Sequence, residues 1–231
     1  VTIGLTSLLS PVSEHHLAGL VGHLRRTGLD VSLLGGSWDD RMWALRSGEA
    51  AGGWLCGLLH ATLDGAGEWP FQVVAAPRSP RADDARRPVY HGDVVVRSGA
   101  PQQTFADLEG TTFAFNEEAS LSGFHMMRHH LVGLGSDLTY FSRTIATGSH
   151  LASLQSVADG TADCAVVDSM LMDDGAADGL SLRTVISVGP YPAPPLVARP
   201  HVFDDLRSAL AGNDVWSPVA DGAYRGLRRA D

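Results

Sequence analysis

A two-lobed α/β protein, with mixed sheets flanked by helices, is the fold class this sequence predicts. Three observations carry it. Apolar strand-like runs alternate with amphipathic helical stretches along the chain, the links between them are short, and the alternation restarts after a polar, proline-containing segment near the middle. With 231 residues the chain is long enough for one large domain or for two lobes, with ample core in either case.

The elements follow in order. Val1 to Leu9 reads as a buried strand, and the helix after it has Pro11 near its first turn, Leu17, Leu20, Val21 and Leu24 on one face, and Gly28 as a stop. Leu29 to Leu34 is the next strand. Ser37 reads as an N-cap with Asp39 and Asp40 in the first turn, and Gly48 ends that helix. Gly53 to Leu55 leads into a short helix from Gly57 to Leu63, and Phe71 to Ala76 is a strand. Pro77 to Pro88, polar and arginine-rich, reads as a surface loop.

Tyr90 to Arg97 then crosses into a second unit that alternates again. It contains the strand Thr111 to Phe115, the helix Ser120 to Val132, the strand Thr139 to Ile145, the helix Ser149 to Ala158 and the strand Ala162 to Val167. Leu182 to Val188 is the return strand and Pro190 to Pro195 a stiff return segment; Val202 to Leu210 and Gly222 to Arg229 read as helices packing back on the first lobe. The expected organisation is a discontinuous lobe 1, residues 1–93 plus 190–231, with lobe 2, residues 94–189, inserted into it. Two connecting strands leave a cleft between lobes, the usual place for a small ligand, and permit hinge closure.

Composition removes several classes of function. Hydrophobic residues at 44% and charged residues at 19% exclude a disordered or fibrous chain. No apolar run approaches the roughly 20 residues of a membrane-spanning helix. The net charge of −9 argues against nucleic acid as a partner, although local dipoles in a cleft can still bind a small anion. All 17 basic residues are arginine, so lysine Schiff-base chemistry is ruled out. Cys56 and Cys164 fall in different lobes within apolar runs and read as buried thiols, not a bridge. The chain opens at Val1-Thr-Ile with no basic n-region and no signal-peptide core, so either a leader has been removed or none existed.

The stretch from Tyr90 to Asp168 holds the chemistry. Strands end there in small hydroxyl or glycine residues where helices begin: Ser120-Leu-Ser122-Gly123 after Phe115, Thr147-Gly-Ser149-His150, and Cys164-Ala-Val-Val-Asp168. Free N–H groups at helix starts and side-chain hydroxyls converging on one spot suit an anion or a small polar molecule. Ser120 serves equally as a plain N-cap, and a lone histidine near a helix start is commonly a packing residue; two such starts on adjacent parallel strands point instead to a shared site. His125 and His129 lie four apart and could share a helix face, but no neighbouring acid or cysteine completes a metal set, so they read as helix surface and no metal or other cofactor is expected. His15 and His16 read as exposed polar positions.

These residues, in this order and spacing, resemble the phosphonate, phosphite and phosphate-binding proteins of ABC importers, within the type 2 periplasmic-binding-protein superfamily. The resemblance runs over nearly the whole chain and is most specific from Tyr90 to Asp168. It implies the two-lobed fold and a binding protein that closes on a phosphonate-like or phosphate-like oxyanion, or a related polar molecule, and hands it to an ABC permease. It implies that Ser120, Ser122 and Gly123 hold the anion, that Ser149 and His150 reach it from the next helix start, and that Tyr90 contacts it from the crossover strand. Trp38, Trp54 and Cys56 fall where the family lines the ligand from lobe 1, and Asp168 closes the list.

The pattern departs from the family in five places, His60 among them, where a tyrosine is common. Leu121 stands for a hydroxyl residue, Cys56 for a glycine, and the acids that meet the amine of aminoalkylphosphonates are replaced by Met170 and the Ala193 to Pro195 run, so a simple aminoalkylphosphonate is disfavoured unless Asp168 or Glu118 serves. The resemblance further implies a monomer, located outside the cytoplasm if a leader was removed and cytoplasmic otherwise. Two alternatives use the same scaffold: a cytosolic enzyme akin to the menaquinone-pathway dehydratase and lyase, with His150 or Asp168 as general base, and a cytosolic ligand sensor. A pyrimidine synthase is disfavoured because its cysteine-rich motif is absent.

Overall fold

The computed structural model describes residues 2–67, 69–220 and 222–227. The chain opens with strand β1 (Ile3–Ser7), and Pro11 starts a 3-10 turn that feeds helix α1 (Glu14–Arg26). Leu17, Leu20, Val21 and Leu24 are the buried stripe of α1, and the cations Arg25 and Arg26 sit in its last turn, where the helix dipole favours them. Strand β2 (Val31–Leu33) leads to α2 (Trp38–Ser47), which is capped reciprocally: Asp40 N–H donates to Ser37 Oγ at 3.2 Å and Ser37 N–H to Asp40 Oδ2 at 2.9 Å. Gly48, at φ +88°, ends α2 in a left-handed conformation that a side chain would strain. Strand β3 (Gly52–Trp54), helix α3 (Gly57–Gly65) and strand β4 (Gln72–Pro77) follow.

Strand β5 (Val89–Arg97) opens the second stretch, then β6 (Thr112–Phe115), a π-helical turn over Leu121–His125 running into α4 (Met126–Gly133), β7 (Arg143–Ala146), α5 (His150–Ala158), β8 (Cys164–Asp168), α6 (Ser169–Asp173) and β9 (Leu182–Pro192). The chain closes with β10 (Leu196–Ala198), α7 (Pro200–Ala209) and β11 (Trp216–Pro218).

These elements group into two compact units, residues 1–89 with 192–231, and residues 90–191. Unit 1 has a six-stranded sheet in the order β11-β4-β10-β3-β1-β2, with β1 parallel to β2 and β3, and β10 and β11 antiparallel to their neighbours. Trp54 is fully buried there, packs edge-on against Trp216 at 5.5 Å and donates Nε1–H to Pro194 O at 2.9 Å. Unit 2 has a five-stranded sheet in the order β7-β6-β8-β5-β9, where β6 runs parallel to β7 and β8 while β5 is antiparallel to β8. Val95, Ala114, Ala165 and Val167 meet Leu154 and Val157 of α5 in its core, which is why β5 and β8 read as continuous apolar runs.

Several sequence expectations need correction, among them His125, read as helix surface but buried at 5% exposure in the π-helical turn. The stretch 139–145 starts as a 3-10 turn over Leu138–Tyr140, because Asp137 accepts from Thr139 N–H at 2.8 Å and from its hydroxyl at 2.6 Å, a local bond that competes with the strand ladder. The helix expected from Gly222 to Arg229 is, among the described residues, a 3-10 turn over Arg225–Leu227; Arg228 and Arg229 lie outside them, as does Val1 of the first strand. The loop from Pro77 to Pro88 carries a short 3-10 turn, Ala82–Asp84, anchored by a buried Ser79 hydroxyl donating to Asp84 at 2.5 Å. Cys164 is buried as expected, but Cys56 is half-exposed at the start of α3.

Candidate functional site: two helix starts and an aspartate in unit 2

The site grows from one pairing. Because β6 and β7 run parallel and in register, with Phe115 opposite Ala146, the loops that leave them emerge side by side. Thr147 N–H donates to Phe115 O and Gly148 N–H to Asn116 O, both at 2.8 Å, so the two following helices start next to each other.

The first start is the π-turn. Ser120 is extended and its Oγ accepts from Gly123 N–H at 3.0 Å, while His125 N–H reaches Ser120 O at 3.1 Å, the i to i+5 bond that widens the turn. Ser120 is thus an N-cap, but its hydroxyl proton is not consumed by accepting and can still be donated. Leu121 is only 1% exposed. It packs in the interior, which explains how an apolar residue stands where the family pattern has a hydroxyl.

The second start repeats the device. Ser149 Oγ accepts from Ala152 N–H at 3.1 Å, and His150, the first residue of α5, is carried inward against the π-turn. His150 Nε2 lies 3.4 Å from Ser122 Oγ and 3.5 Å from Asn116 Nδ2. Gly123 makes this approach possible: a Cβ there would stand 1.8 Å from Asn116 Oδ1 and 3.0 Å from His150 Cε1.

Asp168 arrives at the end of β8, beside β6 in the sheet. Its Oδ1 accepts from Met170 N–H at 2.9 Å, capping α6, and its Oδ2 accepts from the Ser122 hydroxyl at 3.4 Å. Burial pushes its carboxyl up to about 7, and Asp93 and Asp173 add to the rise against the lowering bonds from Met170 and Ser122. Burial holds the His150 imidazole down at about 4. At neutral pH the histidine is therefore uncharged and the aspartate is near its midpoint.

Counting protons shows what is left over. Ser122 has one hydroxyl proton and two takers, Asp168 Oδ2 and His150 Nε2. If Ser122 donates to Asp168, then either His150 donates from Nε2 and the Asn116 amide hydrogens facing it have no acceptor, or Nε2 accepts from Asn116 and the imidazole proton is left on the unpartnered Nδ1. If Ser122 donates to His150, the imidazole proton sits on Nδ1, which has no partner. Either arrangement leaves a donor unspent in a buried group. Asn116 and His150 are each 8% exposed, and Asn116 Oδ1 and His150 Nδ1 are unpartnered. Buried polar groups ordinarily find partners, and an exception asks for a missing one.

The structure thus brings Ser120, Ser122, Gly123, Ser149, His150 and Asp168 together in unit 2. Asn116 belongs with them and the sequence reading missed it; its only signal was an amide at the end of an apolar strand. Tyr90, also in unit 2, is buried at the head of β5. The unit 1 candidates divide. Trp54 is a core residue with its polar atom satisfied, Cys56 is the half-exposed cap position of α3, and Trp38 is 48% exposed on α2. His129 Nδ1 bonds the Tyr191 hydroxyl at 3.1 Å and lines a separate cavity of about 400 Å³ with Leu134 and Pro190. In unit 1, His15 is exposed as expected, whereas His16 is half-buried, edge-on to Trp54 at 5.9 Å.

The comparisons fit this architecture. PhnD1 from Prochlorococcus marinus, solved in complex with methylphosphonate, superposes with a TM-score of 0.74 at 14% identity, covering 98% of this chain and 95% of that one. A binding-protein component of an ABC phosphonate transporter from Pseudomonas aeruginosa gives a TM-score of 0.68 at 16% identity over 98% of this chain and 85% of that one. The periplasmic aliphatic sulphonate binding protein SsuA from Escherichia coli gives 0.63 at 16% identity over 91% and 70%. These likenesses show the periplasmic-binding-protein fold. No curated protein matches the sequence. The family described as the phosphonate periplasmic substrate-binding protein of ABC transporters matches residues 25–212, well over half of the chain. On that match the chain belongs to the phosphonate-binding family of ABC-transporter substrate-binding proteins, whose members are periplasmic binding components of importers and not enzymes.

Proposed function

We propose that this importer binding protein takes a small phosphonate-like or phosphate-like oxyanion on the two helix starts of unit 2. One observation carries the reading: Ser122 and His150, delivered by adjacent helix N-termini, stand 3.4 Å apart with a buried donor left unspent beside Asn116. Ser120 and Ser149 add hydroxyl protons from their cap positions, and two helix dipoles favour negative charge there. The task needs no catalytic base. It needs only that the ligand-bound form be favoured over the empty one, followed by delivery to the permease. The neighbours bound to or transporting phosphonates and sulphonates support an oxyanion of that size. We further read the protein as a monomer working outside the cytoplasm, where the members of its family act.

A thermal-shift screen against phosphate, phosphite, methylphosphonate, sulfate and a panel of organic metabolites tests the reading, since a ligand of the folded state raises the melting temperature by mass action. A rise with an oxyanion, abolished in a Ser122→Ala, His150→Ala double variant that still folds, supports it. An unchanged affinity in the double variant means the oxyanion pole is elsewhere, and silence with every oxyanion overturns the ligand class.

A further inference from the structure

Unit 2 holds a second cavity, where the last turn of α4 meets the end of β9. It measures about 400 Å³ and is lined by His129, His130, Gly133 and Leu134 from the end of α4 and by Val188 to Tyr191 from β9. That is room for a small organic molecule. The cavity shares no residue with the two helix starts.

Its polar groups are paired so that hydrogen-bonding capacity is left over. His129 Nδ1 and the Tyr191 hydroxyl are 3.1 Å apart, and their rings stack at 6.0 Å and 24°. If the imidazole N–H donates, Nε2 is left as an acceptor and the tyrosine keeps its proton to give. If the hydroxyl donates, Nε2 carries the proton and the tyrosine oxygen still accepts. Either way the pair offers one donor and one acceptor, the complement of a hydroxyl group that does both. His130 adds a third ring, held edge-on against Phe105 at 4.4 Å.

Charge is missing from the lining, which has no carboxylate and no arginine among the described residues. Burial lowers the His129 and His130 imidazoles, with Arg128 adding to the fall at His129, and raises the Tyr191 phenol, so all three are uncharged at neutral pH. A charged guest would give up water and meet no counter-charge. The rest of the wall is apolar or bare. Leu134 is 58% exposed beside the rings, so a flat apolar guest would remove its surface from water. Gly133 marks the free space, since a Cβ built on it meets nothing within 4 Å.

We propose that this cavity binds a neutral single-ring molecule carrying a hydroxyl group, of the phenol class, through the His129–Tyr191 pair. The guest's ring lies against Leu134 and the aromatic wall, and its hydroxyl both donates to the pair and accepts from it. The proposal stands apart from the oxyanion reading, because the two sites have no side chain in common.

Calorimetric titration with phenol, toluene, benzoate and benzylammonium, on the wild type and on His129→Phe and Gly133→Leu, tests the assignment. His129→Phe keeps a ring in place and removes both nitrogens. Gly133 has no left-handed φ and leucine is the better helix former, so Gly133→Leu fills the cavity and leaves the fold intact. The wild type is expected to bind phenol with a Kd of about 1 mM or tighter, the range open to so small a molecule. Toluene and both charged analogues should bind at least about tenfold more weakly, and each variant should weaken phenol by about tenfold while methylphosphonate affinity holds. Nitrogen NMR of the histidine rings gives a readout that needs no variant: phenol should shift the His129 resonances, which report the tautomer. Toluene binding as tightly as phenol, or a charged analogue binding more tightly, overturns the proposal. So does phenol affinity unaltered by Gly133→Leu, an unmoved His129 ring, or the absence of saturable phenol binding.

Discussion

Replacing Gly123 with alanine isolates the geometry on which the site depends. Gly123 does not have a left-handed φ, so the backbone itself accepts alanine, and intrinsic helix propensity would favour the change by up to about 1 kcal/mol. The space does not accept it. The new Cβ would lie 1.8 Å from Asn116 Oδ1, 2.6 Å from Asn116 Cγ and 3.0 Å from His150 Cε1, so Asn116 must move within a buried group and His150 with it. Overpacking costs about 1–3 kcal/mol, and an approach of 1.8 Å belongs in the upper half of that range, so after the propensity gain a net loss of about 1–2 kcal/mol remains. For a chain of this length that lowers Tm by about 2–8 °C. Affinity for methylphosphonate should fall at least tenfold, because both displaced side chains belong to the proposed site.

A double-mutant cycle sharpens the result. Adding Asn116→Ala to Gly123→Ala removes the atoms the methyl group strikes, so the pair should be more stable than the sum of the single effects by about 1 kcal/mol or more, while binding stays weak because the Asn116 donors are gone. Thermal unfolding followed by circular dichroism and calorimetric titration read the two quantities separately. A Gly123→Ala protein that melts within about 1 °C of the wild type and binds with unchanged affinity would refute the reasoning, since neither the close approach nor its role in binding could then be real.

Further expectations come from other parts of the molecule. His150 is depressed from 6.5 to about 4, so its contribution is fully present above pH 6.5 and is lost as pH falls toward 4; Asp168 is raised from 3.8 to about 7, so its contribution is present below 3.8 and lost as pH rises through 7. The two slopes oppose each other between pH 4 and 6.5, and urea unfolding of the single variants should separate them: Asp168→Asn loses stability on acidification, His150→Ala gains it, and parallel curves for both would contradict the assignment. Trp54→Phe leaves Pro194 O without its buried donor and should cost about 1–3 kcal/mol in denaturant unfolding while oxyanion affinity holds; an affinity loss at unchanged stability would return Trp54 to the ligand. Burial pushes the Cys164 thiol up to about 12, so a thiol reagent should label at most Cys56 in the native protein and reach Cys164 only in denaturant, as peptide mapping would reveal.

Much of the fold was legible because its signals are local. The Ser37–Asp40 capping box, the buried stripe of α1, the Gly48 stop and the serine caps at Ser120 and Ser149 all involve partners three or four residues apart, within reach of a sequence pattern. Strands β10 and β11 are three residues each and were not legible; they are strands only because β3 and β4 offer them ladder partners more than a hundred residues away in sequence. The 3-10 turn at Leu138–Tyr140 shows apolar patterning yielding to a nearer hydrogen bond, that of Thr139 to Asp137.

By itself the sequence determined an alternating α/β chain with hydroxyl-bearing helix starts after two successive strands, because strand periodicity, caps and helix dipoles are properties of short segments. The tertiary structure decided what those starts face. The parallel, in-register pairing of β6 with β7 set Ser122 against His150, the absent side chain of Gly123 let Asn116 in between, and the end of β8 brought Asp168 to the same hydroxyl. Trp54 went the other way, into the core of unit 1. Proximity across a sheet and the withdrawal of water from a carboxyl and an imidazole depend on segments distant in sequence, so no local pattern carries them.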